Sequence, residues 1–595
     1  MIASLPYYII YRREAMKRMS RIVAIAVALL LLPKIAHAQD ISQIAKSDPL
    51  IITGAVGTQN TYYRSSYGDG YASPLSNSVF ASLSISAYGF SIPLSFYYSN
   101  SNLDFNYPYF SFNASPTYKR WTLHLGQRTM PFSNYIYNIP FNGVGMEYNG
   151  DKLRVGLFYG KLRKAINDDP LDPLARTPQY SRFGWGFKVG YGSTRNFIDI
   201  FVFRAKDHVS SIDELWRNDV FAQENLVIGA RGRVTVTRWL SLTGNIATSA
   251  LSTDITAKEI EKEAIRDFGD IFNPRYSSLM RFAGDVSANM HIDDLSASIS
   301  YRMIEPDYYT LGTSYMTNNI HSLGISASTQ LFKTLNLTAN FSGQEDNLTN
   351  QQLYTTRGFV YSLNASSLVN NKLSLAFDYN GYTQNQSDGT EHVNDTTRIS
   401  RVMHSFTFTP SYSVYNDEYS HTVSLASNYT MNINRNELQK KLEEDTDINT
   451  LALGAGYTLG LIEQDMDLSA NYSYQQTKGM DRKYSTHVFS VGAARSFLEE
   501  KNLQLSGNIS LSRNNIQGMS KNISLGGDVS AAMNIKDKHA ISFSASYSRF
   551  NDTNLYDEEV ADGYNGYDLM LSLNYTYTFS LLEIKKKGSK ENKEM

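Results

Sequence analysis

The chain has 595 residues, with 55 Lys and Arg against 57 Asp and Glu, 42 Tyr, 29 Phe and no Cys. The missing cysteine excludes disulfides, thiolate metal sites, iron–sulfur clusters and Cys nucleophiles. A charge balance this close to zero gives no electrostatic basis for nucleic acid as a partner.

The segment from Met16 to Arg21 is basic, Ile22 to Leu32 is an apolar run, and Ala36 and Ala38 are small residues where a signal peptidase reads. This is the layout of a secretory signal cleaved before Gln39, with residues 1–15 as upstream sequence. The run is too short to span a bilayer as a permanent helix. Gln39 stands where a lipoprotein would need Cys, so lipid anchoring is not expected. No later stretch of about 18 apolar residues follows, which excludes a helical membrane protein. Residues 39–49 then form a short periplasmic lead-in.

From residue 50 to residue 581 the period is two. Leu335, Leu337, Ala339 and Phe341 alternate with Asn336, Thr338, Asn340 and Ser342, and Ile541, Phe543, Ala545 and Tyr547 alternate with serines. Strands with one apolar face require this alternation. Helical spacing is confined to Ala257 to Phe268 and Asn436 to Glu444. Every second connection is short and turn-like, as at Tyr148 to Asp151, Gly192 to Thr194, Asn370 to Lys372 and Lys536 to Lys538. The connections between them are mostly longer: Lys164 to Gln179, Ser252 to Arg275, Glu305 to Asn318, Ser387 to Thr397 and Asn551 to Gly563. Trp121, Trp185, Trp239, Tyr301, Tyr379, Tyr474, Tyr547 and Phe579 sit near strand ends, where an interfacial aromatic girdle would lie. Soluble sandwiches and propellers also have period-two strands, but they show linkers or a repeat of about 40–50 residues, and neither is found. The pattern predicts an all-β chain closed into a single antiparallel transmembrane β-barrel of about 26 strands (roughly 24 to 26), since lipid tolerates no open sheet edge. Short turns would be periplasmic and long loops extracellular, with both termini in the periplasm.

In these features the chain resembles the large outer-membrane β-barrels of Gram-negative bacteria, in style the Tyr/Asn/Ser-rich ones of the Bacteroidota. The resemblance covers about residues 50–581 and is one of architecture. In such proteins the last strand carries an assembly signal of alternating apolar residues ending in an aromatic. Leu573, Tyr575, Tyr577 and Phe579 match that layout, which implies the barrel-assembly machinery and outer-membrane lipid as partners. Residues 582–595, with Lys585, Lys586, Lys587 and Lys590, depart from the usual terminal position of the signal. This basic periplasmic tail is either a solvated end or a contact to a partner. Strand pattern begins so soon after Gln39 that no N-terminal plug, hatch or periplasmic module is expected.

A closed sheet of this size has a backbone radius of roughly 25 Å, too wide for wall side chains to fill. Loops folded inward, a protein partner in the lumen, or water must occupy it. The expected inward loops are Ser252 to Arg275, whose Ala257 to Ala264 are good helix formers, and Lys164 to Gln179. Phase places His124, Arg128, Arg154, Arg182, Lys188, Arg231, Arg233 and Arg281 on the inward face, together with Asp285. A charge on the lipid face near mid-membrane would cost about 2–4 kcal/mol. The basic wall has two uses. Its cations either pair with acidic loop residues (Asp168, Asp169, Asp172, Glu259, Glu261, Glu263) and hold the loops inside, or attract anionic solutes or an acidic polypeptide.

The ten His are dispersed, and no HExxH, GxSxG, phosphate-loop or dinucleotide motif stands in its required context. His321, His404, His421 and His487 lie within strands and read as lumen or interface residues. Asp388 to Asp395 reads as a solvated polar loop. No catalytic residue, metal site or cofactor is therefore expected. The sequence points to a channel or translocation protein. The alternative is an accessory or scaffold barrel of a surface-protein secretion or assembly complex, its pore closed by a partner.

Overall fold

The computed structural model describes residues 50–66, 74–100, 110–168, 177–212, 215, 219–260, 271–442, 446–479, 482–498, 502–518, 520–554 and 564–584. The signal segment, residues 39–49 and the tail from 585 lie outside them. Among the described residues the strands begin with β1 Leu50–Ser65, β2 Leu75–Ala87, β3 Phe90–Ser99, β4 Phe110–Ala114, β5 Thr117–Tyr118, β6 Trp121–Arg128, β7 Phe141–Asn149, β8 Leu153–Arg163 and β9 Ser181–Gly192. Then come β10 Phe197–His208, β11 Glu224–Thr235, β12 Leu240–Ser252, β13 Ser278–Ile292, β14 Leu295–Ile304, β15 Ile320–Leu331, β16 Leu335–Asp346, β17 Tyr354–Leu368 and β18 Leu373–Asp388. The last are β19 Ser400–Tyr415, β20 Tyr419–Asn434, β21 Ile448–Leu461, β22 Met466–Gly479, β23 Arg482–Phe497, β24 Leu503–Ile516, β25 Ser520–Ile535, β26 His539–Asn554 and β27 Tyr564–Ile584.

All belong to one 27-stranded sheet. β4 and β5 are two halves of one crossing, since each pairs with both β3 and β6. Pro116 divides them because it has no N–H to give the ladder. Its carbonyl still accepts from the Leu123 amide (2.9 Å), and the Ser115 amide turns to the Pro93 carbonyl (3.0 Å). The 27 strands therefore make 26 crossings, as the alternation predicts. β1 pairs with β2 on one side and β27 on the other, which closes the barrel. Along this seam the Asn60 amide donates to the Leu573 carbonyl (3.3 Å) and the Tyr63 hydroxyl to Asp568 (3.1 Å).

Packing divides the chain into two units. The described part of the small one is Leu50–Thr53, Ser84–Ser91 and residues 580–584; it holds a tight turn with Tyr88 and Gly89 at φ 48° and 85°. The large unit is Gly54–Leu83 with Ile92–Phe579, and the remaining description concerns it.

Short turns close one end of the sheet. At Phe332-Lys333 (φ 53° and 62°) and Lys536-Asp537 (φ 52° and 52°) both central residues are left-handed. This geometry matches the twist of a hairpin. The alternation separates the two faces of every strand. Ile200, Ile228, Ile246 and Val286 are about half exposed on one face. Their neighbours Phe201, Val227, Ala247 and Ala283 are buried on the other. The exposed apolar face is the one that meets lipid.

Helix is minor. The six-residue helix α1, Glu437–Leu442, falls within the stretch where helical spacing predicts one. Asn436 caps it, its side-chain oxygen accepting from the amides of Leu438 and Gln439 (3.1 Å each). The helix expected from Ala257 is not formed over the described part, Ala257 to Ile260. There Glu259 pairs with Arg275 as an isolated bridge, and the Arg275 guanidinium holds the Ala257 carbonyl and the Glu259 carboxylate (2.9 Å each). These cross-links hold Ala257 to Ile260 extended against Arg275, and the rest of the expected helix lies outside the described residues.

Candidate functional site

The interior is built on the inward faces of β7 to β15. Phe141 and Phe158 project from β7 and β8, Phe201 and Phe203 from β10, Val227 from β11, Ala247 from β12 and Ala283 from β13, all buried. Two connections from the long-loop end, residues 129–140 and 305–319, cover them. From the first come Met130, Phe132, Tyr135, Ile136 and Tyr137, and from the second Tyr308 and Leu311. Tyr137 stacks on Phe158 (ring centroids 4.5 Å apart), Phe158 on Phe141 (4.8 Å), and Phe132 lies 5.5 Å from Phe201. Gly186 permits this approach, because a Cβ there would lie 2.6 Å from the Phe132 ring.

Polar groups fix the two loops to each other and to the wall. The Asn138 amide donates to the Gly312 carbonyl (2.9 Å), the Thr310 hydroxyl to the Ile136 carbonyl (2.9 Å) and the Tyr308 hydroxyl to the Tyr135 carbonyl (2.6 Å). From the wall, Asn225 accepts from the Leu311 amide (3.0 Å) and Ser249 donates to the Tyr309 carbonyl (2.6 Å). Burial, and then the hydrogen bond to Asp285, push the Tyr135 hydroxyl well above the ordinary tyrosine range. The result is a fixed apolar pad against one side of the lumen.

Charges frame this pad. Asp199, 2% exposed, lies between Arg154 (2.7 Å) and Arg231 (3.0 Å). Asp207 accepts both forks of Arg182 (2.7 and 3.0 Å), with Arg163 at 3.3 Å. His124 is buried between Ser115 (3.2 Å) and Glu147 (3.1 Å), and Lys188 and Arg128 stand close enough to act on the same carboxylate. Arg233 donates to Ser241 (3.3 Å), and Arg281 to the Pro306 carbonyl (2.8 Å) beside Asp307. By register these basic residues share the strand face of Phe141, Phe158, Phe201 and Phe203. The carboxylates that meet Arg154, Arg182 and Arg231 belong to β10, and they are not among the loop acids expected to pair with this wall.

Among those loop acids, Glu259 pairs with Arg275 of its own loop. Asp168 is at the edge of the described residues, and Asp169, Asp172, Glu261 and Glu263 lie outside them. The two loops expected to fold inward are described at their bases. Ile166 bridges Gln179, while Tyr180, Ile212, Ala222 and Ile255 form a small apolar cluster where several long loops meet.

Asp199 and Asp207 are not singled out by the sequence, and the register places them inward. β10 is apolar on both faces, with Ile198, Ile200 and Val202 outward and Phe201 and Phe203 inward. A barrel strand of that kind signals that something covers its inner face.

Unlike His124, the histidines of β15, β19, β20, β23 and β26 belong to the outer surface, His321 beside Glu345 among them. By register His404, His421, His487 and His539 share faces with outward Phe, Val and Tyr residues. Each is hydrogen-bonded to a tyrosine hydroxyl: His404 to Tyr379 (2.9 Å), His421 to Tyr457 (2.8 Å), His487 to Tyr472 (2.9 Å) and His539 to Tyr575 (2.8 Å). Tyr575, Tyr577 and Phe579 of the expected assembly signal continue from His539, at the short-turn end, near the end of β27. Among the described residues no group of three or more His, Asp or Glu could hold a metal ion.

Fold and interior define a transmembrane β-barrel with a one-sided apolar inlay. No protein-family model matches the chain, and no curated protein matches it. Among solved structures it is similar to the translocation pore of the P pilus usher, at 10% identity over 89% of this chain and 100% of that one, with a TM-score of 0.34. It is also similar to the outer membrane protein OprD from Pseudomonas aeruginosa (11% identity, 59% of this chain and 92% of that one, TM-score 0.31). A third is OccAB2 from Acinetobacter baumannii (11%, 61% and 93%, TM-score 0.28). Likenesses this distant carry nothing about cargo or partner.

Proposed function

We propose that this protein is an outer-membrane channel that passes polar solutes along an aqueous path beside its apolar pad. The observation that carries this reading is the asymmetry of the interior. Neither apolar core among the described residues includes a residue beyond Ile320. From β16 to β27 the inward positions are mostly Ser, Thr and Asn, for example Asn336, Thr338, Asn340 and Ser342 facing Ser366, Asn364, Ser362 and Val360. One arc of the wall is upholstered by loops and the other is polar, which suits a conduit narrowed from one side. Short turns would lie in the periplasm and long loops outside the cell, as in barrels of this class.

Beside the pad, cations outnumber carboxylates. On β6 to β14 the inward Arg128, Arg154, Arg163, Arg182, Lys188, Arg231, Arg233, Arg281 and Arg302 share their face with Glu147, Asp199, Asp207 and Asp285, and Asp307 of the covering loop lies by Arg281. The polar arc instead carries inward Asp346, Asp378, Asp467, Asp528 and Asp568 against Arg401 and Arg482. The pad side therefore favours anionic solutes.

Single-channel recording in planar bilayers tests the proposal. Replacing residues 130–139 and 306–318 by short Gly-Ser turns is expected to raise unit conductance severalfold. A protein that conducts neither before nor after the replacement, and that copurifies with a stoichiometric partner, would overturn the channel in favour of a scaffold barrel.

A further inference from the structure

Among the described residues, the outward face of β22 to β26 carries cations that no carboxylate answers. By register Lys478 of β22, Lys483 of β23, Arg513 of β24, Lys521 of β25 and Arg549 of β26 all stand on the lipid-facing side at the long-loop end. The outward positions of these five strands include no Asp or Glu. Elsewhere at the same end, Arg357 is neutralised by Glu345 (2.7 Å), and Arg204 and Lys206 by Glu224, while Lys161 lies over the Phe183 ring without a carboxylate partner among the described residues. Here the reverse holds. Lys478 faces Lys483 directly across the ladder, a like-charge pair that is unfavourable without an anion. Arg513 pairs with Ile523, two residues from Lys521, and Arg549 pairs with Leu525. Arg513, Lys521 and Arg549 therefore lie within roughly 14 Å of one another along the backbone.

Directly beneath, on the same face, the wall is hollow. Gly507 and Gly527 stand among Val491, Ile509, Val529 and Tyr547, leaving a groove of 580 Å³. Gly527 pairs with both Ile509 and Tyr547, and Arg549 is two residues along the strand from Tyr547, about 7 Å. The level is that of a membrane interface. Ala540 to Ser548 separate Arg549 from His539 in the opposite girdle, about the number of residues one tilted crossing takes. His487, in the row of Arg513, is hydrogen-bonded to Tyr472.

We infer that this face is a binding site for a membrane lipid with a phosphorylated headgroup. The cations hold the phosphate, and the groove between Gly507 and Gly527 seats an acyl chain. Charge complementarity selects the occupant: a neutral lipid would fill the groove and leave the cluster unanswered, and a free phosphate would do the opposite.

The test uses the full mature chain in nanodiscs or non-ionic detergent, with native mass spectrometry after adding phosphatidic acid, phosphatidylcholine or inorganic phosphate. The wild type is expected to retain phosphatidic acid at least about tenfold more than phosphatidylcholine. The triple variant Arg513→Gln, Lys521→Gln, Arg549→Gln is expected to lose that preference. Gly527→Leu should weaken lipid retention severalfold while leaving the cations in place. A Cβ there meets only the Asn508 carbonyl, at 3.6 Å, so the fold accommodates it; heat-dependent gel migration checks that both variants remain closed barrels. Equal retention of the two lipids by the wild type, undiminished phosphatidic acid on the triple variant, or competition by millimolar inorganic phosphate would each overturn the inference.

Discussion

Two tyrosines of the apolar pad show how a buried hydroxyl is judged by its partner. The Tyr308 hydroxyl donates to the Tyr135 carbonyl (2.6 Å). The Tyr137 hydroxyl is equally buried and has no hydrogen-bond partner among the described residues. Removing a satisfied hydroxyl strands its acceptor, whereas removing an unsatisfied one relieves a desolvation cost. Tyr308→Phe is therefore expected to lower stability by about 1 kcal/mol, and Tyr137→Phe to leave it unchanged or raise it by up to about 1 kcal/mol. Urea unfolding in detergent, followed by tryptophan fluorescence, measures both. Equal losses would mean that ring packing, and not the hydroxyl, decides.

At the scale of elements, the turns repeat one solution with unequal comfort. Lys536-Asp537 places an Asp in the left-handed region, where a short polar side chain is tolerated. Phe332 takes the same conformation (φ 53°) with its ring 86% exposed, and a bulky side chain is strained there. Phe332→Gly is expected to stabilise the β15–β16 hairpin by about 1 kcal/mol, measured as a raised thermal midpoint.

Elements are also where legibility from sequence divides. Strand alternation was readable because lipid outside and water inside impose it on every crossing, and the Pro116 break was absorbed without changing the count. The pad was not foreseen. The segment 129–140 is short, and the Glu305 to Asn318 connection looks merely polar, with Tyr308 and Leu311 hidden among Thr, Ser and Asn. The visible clue was in the wall, where Phe201 and Phe203 alternate with Ile200 and Val202. Asp199 and Asp207 escaped notice for the same reason: a strand apolar on both faces conceals its own phase. Of the Ala257 to Phe268 stretch only Ala257 to Ile260 is described, and there the Arg275 cross-links prevail over helix propensity.

At the scale of the whole molecule, charge is distributed unevenly around the lumen. Asp199 and Asp207 already engage four of the inward arginines, Arg154, Arg231, Arg182 and Arg163, so Arg128, Lys188 and Arg233 hold the more available charge. A tenfold KCl gradient across a bilayer is expected to give an anion-selective reversal potential. The triple variant Arg128→Gln, Lys188→Gln, Arg233→Gln should move it toward zero, and raising total salt should shrink the difference by screening. Cation selectivity of the wild type would rule out a basic conduit.

The one-sided pad has a mechanical corollary. Phe132, Tyr137 and Leu311 brace the arc from β7 to β15 from within, as a rib stiffens half of a hoop, while among the described residues no apolar core backs the arc from β16 to β27. Squeezed sideways by the bilayer, the unbraced arc is the one expected to yield first.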